Sequence, residues 1–278
     1  MAGVDIELHL MVRMRATISL KARFERDRDR RARTAIADSA VPVSDSDLAR
    51  LPRAVRRYLR AAGVVGRPQP RAYQLAFSGR IRGGPDEPWM PFRAEQYSAL
   101  DGPVRLFYMR ARRAGVPIAV YHRYVDGQAE MHVKLAGLVT LVDAHGPVMD
   151  RSETVTVFND MCLLGPGTLL DRRITWGKGD DRAVDATFSV GEHTIAATLT
   201  FDESGLITNF ESPDRSRASA DGRTFTRLPF LTPVQAHAAF SGVVVTQRAQ
   251  AQWRLPDGQL FTYAEFTLES LTNVPAGA

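Results

Sequence analysis

The residue types with chemistry in them gather around residues 153–164, where Asn159 and Asp160 stand among Val155, Val157, Phe158, Met161, Cys162, Leu163 and Leu164. At helical spacing, Val155, Val157, Phe158, Met161, Cys162 and Leu164 cover about half the circumference, and Thr156, Asn159, Asp160 and Leu163 lie opposite. Pointed into a cavity, Asp160 could serve as a base or a hydrogen-bond anchor, with Asn159 beside it. Pointed at water, the same residues are the polar side of an ordinary amphipathic helix. Glu95 is a third acid–base candidate. Asp214-Arg215 offers an ion pair at a strand end or a contact for an anion. Trp89, Trp176 and Trp253 could line an apolar ligand site or fill a core. Catalytic candidates are therefore Asp160, Asn159 and Glu95, and ligand-binding candidates are Asn159, Asp160, Trp89, Trp176, Trp253 and Arg215.

Several chemistries are made improbable by what stands elsewhere. Cys162 is the only cysteine and falls on the apolar side of its helix, so it reads as an inert buried thiol rather than a nucleophile. It also leaves no intrachain disulfide and no cysteine metal cluster. The six histidines are scattered without helical metal spacing. Gly165-Pro166-Gly167 follows a helix instead of opening one, which does not suit a phosphate cradle. Neither a G-x-S-x-G elbow nor H-E-x-x-H occurs. No metal and no cofactor is expected.

These residues must be positioned by elements that the hydrophobic pattern outlines. Leu48, Leu51, Val55, Leu59 and Ala62 predict a helix over 45–63, capped by Ser46 or Asp47 or else starting later at Pro52, and stopped by Gly63. From Arg71 to about Ala144 strands are expected. A hairpin turning at Asp126-Gly127 would set Tyr121 opposite His132, His122 opposite Met131 and Arg123 opposite Glu130, leaving the two histidines on opposite faces. A second helix is expected over 151–164, with Asp150 and Glu153 as a capping-box-like start. Then Phe188 should pair with Ile195, and Ala186 with Ala197, across Gly191-Glu192. A turn over 202–205 should set Phe201 against Leu206 and Ala197 against Phe210, and a last hairpin should turn at 256–258.

The chain has 278 residues, 44% hydrophobic and 24% charged, enough for a sizeable core. Its net charge of +5 is local: residues 13–33 carry nine Arg and Lys against Glu25, Asp27 and Asp29. With a nearly neutral body, nucleic acid is not an expected partner. The division expected is a basic N-terminal segment, 1–42, and a single β-rich domain, 43–278. Residues 1–34 mix arginines with apolar residues, so a weak membrane-surface contact is open to them, but folding is expected not to need them. With no spanning segment and no secretory signal pattern, the default location is cytoplasmic.

The stretch from Glu153 through Phe158, Asn159, Asp160, Met161 and Cys162 to Gly165-Pro166 and Leu169-Leu170 resembles the central motif of a bacterial family known only as a domain of unknown function. Leu51-Pro52 with Tyr58-Leu59, Trp89 leading to Glu95-Gln96, Phe201-Asp202-Glu203, Asp214-Arg215, and Trp253 with Pro256-Asp257-Gly258 support it. Ser216 departs from it where an aromatic residue is usual. Gly165 and Gly167 depart from it where alanines are. The resemblance spans roughly residues 48–273 and implies a β-rich domain but no activity.

The fold expected is mainly β (α+β): a strongly curved antiparallel sheet or half-barrel packed around one or two helices, a shape analogous to lipoprotein-carrier folds. A concave sheet closed by a helix tends to leave an apolar cavity, so the expected function is binding a hydrophobic small molecule or lipid. The alternative is a cofactor-independent cyclase, isomerase or lyase acting on such a molecule. Nothing in the sequence specifies an oligomeric state.

Overall fold

In the computed structural model, which describes residues 19–34, 41–99, 102–219 and 224–274, the alternating segments pair into one antiparallel sheet of fourteen strands. Helices α1 (Leu20–Thr34), α2 (Asp45–Leu48) and α3 (Arg53–Ala61) come first. A meander follows: β1 (Ala72–Ile81), β2 (Met90–Ala99), β3 (Val104–Arg113), β4 (Val116–Val125), β5 (Gln128–Leu135) and β6 (Val139–His145). Helix α4 (Pro147–Leu164) and a 3-10 turn (Pro166–Leu170) lead to β7 (Ile174–Gly179), β8 (Ala183–Val190), β9 (His193–Phe201) and β10 (Ile207–Ser212). The chain closes with the short β11 (Ser216–Ala218), β12 (Phe225–Arg227) and β13 (Phe230–Leu231), then β14 (Val234–Phe240), β15 (Val243–Arg254) and β16 (Leu260–Asn273).

The sheet runs β6-β5-β4-β3-β2-β1-β16-β15-β13-β10-β9-β8-β7, with β14 on β15 and a separate β11–β12 ribbon. It curves strongly around α4, which touches β5 and β6 from one half and β8, β9 and β10 from the other. That wrapping explains why α4 is buried on nearly every side, including Ser152, Glu153, Thr154, Thr156 and Asn159. It is an embedded helix, so an outward polar face is not what its polar residues form. Phe158 stacks on Phe188 with ring centres 5.2 Å apart, and Tyr58 donates to the Cys162 carbonyl at 2.8 Å. Phe24 of α1 is 1% exposed beneath the convex face, against Tyr108 and Tyr121.

The β4–β5 hairpin has the expected register, with Asp126 and Gly127 both at positive φ. Phe188 pairs with Ile195 and Ala186 with Ala197. Three expectations are corrected. The helix expected over 45–63 is two helices: α2, capped by Ser44 through a capping box with Asp47 rather than by Ser46 or Asp47, and α3, which has the later start at Pro52, with that proline at its N-cap. Glu153 caps nothing: α4 begins at Pro147, four residues earlier than expected, and Asp150 instead accepts the Ala129 N–H at 2.6 Å. In the β9–β10 pair, Phe201 meets Ile207 and Phe210 meets Leu199. Leu206 is drawn into the turn by Asp202, and an irregularity between Ile207 and Asn209 moves the pairing of Phe210 by two residues, which keeps it on the buried face. Residues 1–18, where half of the membrane-surface expectation falls, lie outside the described residues. No helix among the described residues is long and apolar enough to cross a membrane.

Candidate functional site

Strand pairing assembles the site. Ser98 lies opposite Arg105, Gln96 opposite Phe107, and Phe107 opposite His122, so one concave stripe across β2, β3 and β4 carries all five. Alternation sends Glu95, Tyr97, Tyr108 and Tyr121 to the convex face. Helix α4 lowers Glu153, Thr156, Asn159 and Asp160 onto the concave stripe.

Arg105 binds both acids of the helix. Its Nε donates to Asp160 Oδ2 at 2.7 Å, and its Nη1 donates to Glu153 Oε2 at 3.3 Å. Gln96 Nε2 donates to the same Asp160 oxygen at 2.8 Å and to Ser98 Oγ at 2.9 Å. His122 Nδ1 stands 3.5 Å from Glu153 Oε1, an ion-pair separation without hydrogen-bond geometry. Burial alone would raise the Glu153 carboxyl, but His122, Arg105 and Arg215 outweigh it and hold the group at about 2. Burial would likewise lower the Arg105 guanidinium, and the Asp160 and Glu153 charges raise it instead. The cluster is a closed set in which each carboxylate has a cation.

Beside it lies a cavity of about 180 Å³. Its apolar wall includes Phe77, Phe107, Met109, Val120, Phe266 and Leu268, and Leu163 and Leu164 cover it from α4. Arg215 lines the same space. Its Nη1 donates to Tyr263 Oη at 2.6 Å, and its guanidinium lies 4.3 Å from the Phe230 ring centre and 5.4 Å from that of Trp253. Among the described residues no carboxylate forms an ion pair with it. Asn159 Oδ1, Thr232 Oγ1 and Thr246 Oγ1 are buried atoms of this lining without a hydrogen-bond partner. Beyond Leu164 a second pocket of about 240 Å³ reaches Arg67, Gly165 and Phe240.

Of the residues singled out from sequence, Asn159, Asp160 and Arg215 come together at the cavity. Glu95 does not: it is on the convex face, with Lys21 Nζ at 2.6 Å. Trp89 sits off the cavity between Arg80 and Arg82, whose guanidinium carbons lie 4.6 Å and 4.5 Å from its ring centre. Trp176 packs half-buried against the main core, and Trp253 is buried behind Arg215. Asp214 and Arg215 are not an ion pair. Asp214 turns away to Arg151 at 3.0 Å, to Arg227, and to the Ala196 N–H at 2.7 Å. Arg105, Gln96, Glu153 and His122 were not singled out. Gln96 and Arg105 carry a signal nonetheless, being polar residues in the apolar registers Phe92-Ala94-Gln96 and Arg105-Phe107-Met109. Cys162 is fully buried, and burial pushes its thiol well up. No group of three or more His, Cys, Asp and Glu among the described residues is placed to hold a metal ion.

The chain belongs to a family of unknown function, DUF6544, whose model matches residues 41–266. No curated protein matches its sequence. Among solved structures it is similar to a LolA superfamily protein from Nitrosomonas europaea, at 11% identity and a TM-score of 0.41, covering 77% of this chain and 90% of that one. It is also similar to a DUF1329 family protein from Desulfovibrio piger, at 11% identity and a TM-score of 0.41, covering 79% of this chain and 91% of that one.

Proposed function

We propose that this member of the family binds an apolar small molecule bearing an acidic end, inside the cavity between α4 and the curved sheet. One observation carries the proposal: a buried space with aromatic and aliphatic walls contains a guanidinium, Arg215, that no carboxylate neutralises by ion pairing among the described residues. Arg215 is half-buried and feels a carboxylate only at a distance, through Glu153, which Arg105 already holds, so a ligand anion would give it a direct partner. Phe230 and Trp253 hold the guanidinium plane, and Tyr263 fixes one of its donors. Asn159, Thr232 and Thr246 supply further polar atoms awaiting partners. The apolar wall takes the body of the ligand, and Leu164, shared with the second pocket, stands where a longer chain would pass.

The enzyme alternative needs a general base in the cavity. Asp160 and Glu153 are both engaged by Arg105, and Glu95 faces the other way, so the geometry favours a binder.

Titration with a fluorescent fatty acid and with the matching fatty alcohol tests this. The acid should bind one per chain, and Arg215→Gln should weaken it roughly 10- to 100-fold, the range of a charge-assisted hydrogen bond, while sparing the alcohol. Failure of both probes to bind would defeat the cavity proposal; equal loss of both would defeat the role of Arg215.

A further inference from the structure

The convex face of the sheet carries a second unbalanced feature, remote from Arg215. Arg93 on β2 and Arg110 on β3 are directly opposite in register, and both are exposed. Like charges placed so are destabilising, and neither has a carboxylate partner among the described residues. Arg112, two residues on, is exposed on the same side, and these three arginines with Arg80 line one open groove. Among the described residues, Arg80 alone of the four has a carboxylate partner, Glu265 at 2.6 Å.

The groove ends at the tips of two hairpins, β3–β4 and β5–β6, which carry exposed aliphatic side chains beside Arg113. Gly137 lines it, and the neighbouring Leu138 is 85% exposed. Val139 and Leu141 of edge strand β6 are 56% and 49% exposed, and Val116, at the β3–β4 turn, is 39% exposed. The tips are held together, since Ile118 pairs with Leu135 and the Ala136 N–H donates to the Pro117 carbonyl. Val116 and Val139 stand in the concave register and the arginines in the convex one, so the two kinds of side chain meet at the strand ends, beside the exposed Leu138 of the β5–β6 turn.

We infer that this corner docks on an anionic lipid bilayer, the hairpin tips entering the interface while Arg93, Arg110 and Arg112 meet the headgroups. Cationic side chains flanking exposed aliphatic ones match the layered chemistry of such a surface, negative outside and hydrocarbon within. A nucleic acid would engage the arginines and leave Leu138 and Val139 without a role. The orientation has a consequence for the cavity: Met109 and Val120, which line it, lie four residues from Arg113 and Val116 along their strands.

Sedimentation of the full chain with phosphatidylcholine vesicles, with and without phosphatidylglycerol, tests the inference. Binding should require phosphatidylglycerol and should fall about five-fold for each of Arg93→Gln and Arg110→Gln, the effect of one basic residue at such a surface. Leu138→Asp, at an exposed turn, should reduce binding without changing the melting temperature. Absence of sedimentation with phosphatidylglycerol overturns the inference, as does binding that none of the three variants alters, which would place the contact elsewhere in the chain. Retention on duplex DNA lost in the arginine variants, with no vesicle binding, would assign the groove to nucleic acid instead.

Discussion

Strands β2, β3 and β4 present two faces of opposite electrostatic design. On the concave face Arg105 is buried and holds two carboxylates. On the convex face Arg93 and Arg110 are exposed and opposite one another, with no carboxylate partner among the described residues. One step along the chain separates the environments: Gln96 joins the buried cluster, and Glu95 beside it pairs with Lys21 of α1. What an arginine does here is set by which side of the pleat it occupies. A buried guanidinium must be matched internally because water cannot do it. An exposed one is screened by solvent, so it can stay unmatched and free for a partner.

The largest test of this contrast is Arg105→Leu. Removing the shared cation strands Glu153 and Asp160 in the interior, and a loss of about 3–5 kcal/mol is expected in urea denaturation. A loss below about 1 kcal/mol would mean that water reaches the cluster and that the two faces do not differ in kind. Next is Phe24→Ala. It asks whether the α1-covered part of the convex face behaves as core, and a loss of roughly 3 kcal/mol is expected for a phenylalanine so deeply buried. A chain beginning near Val43 then measures what α1 adds as a whole, and an unchanged melt in both cases would make that helix a passenger.

Acid titration probes the cluster without altering packing. Glu153 is held at about 2, below its ordinary 4.5, so its contribution is complete above pH 4.5 and is lost as pH falls toward 2. The expected loss across that window is roughly 3 kcal/mol, and Glu153→Gln should flatten the slope. An identical slope in the variant would assign acid unfolding to other carboxylates. The smallest effect is expected from Arg110→Thr, within about 0.5 kcal/mol and in the stabilising direction, because it relieves the like-charge pair with Arg93.

Much of the architecture was legible because strands and turns declare themselves locally. Asp126-Gly127 set its hairpin register, and the alternation around Phe188 and Ile195 set another. Where a turn recruited a neighbour, as Asp202 did Leu206, counting from the turn misplaced Phe210. The site was half legible. Asn159, Asp160 and Arg215 stood out as polar groups in apolar company. Arg105 did not, because its partners lie 48 and 55 residues away and only sheet curvature brings them together. Glu153 was misread for a related reason: acids near a helix start are usually caps, and its true partners come from β3 and β4. The tryptophans followed their general habit, serving as packing and cation platforms rather than as cavity lining.

The pairing of β1 with β16 sets an order in time. Tyr73 pairs with Asn273, and among the described residues the first six strands join the rest of the sheet through β16. During synthesis the ribosome releases β1 long before its neighbour exists, leaving an unpaired hydrogen-bonding edge of ten residues exposed in the interval. The cavity is equally late: Tyr263, Phe266 and Leu268 all belong to the final strand. Until β16 is made, the two half-sheets have no seam between them and the cavity has no wall on that side.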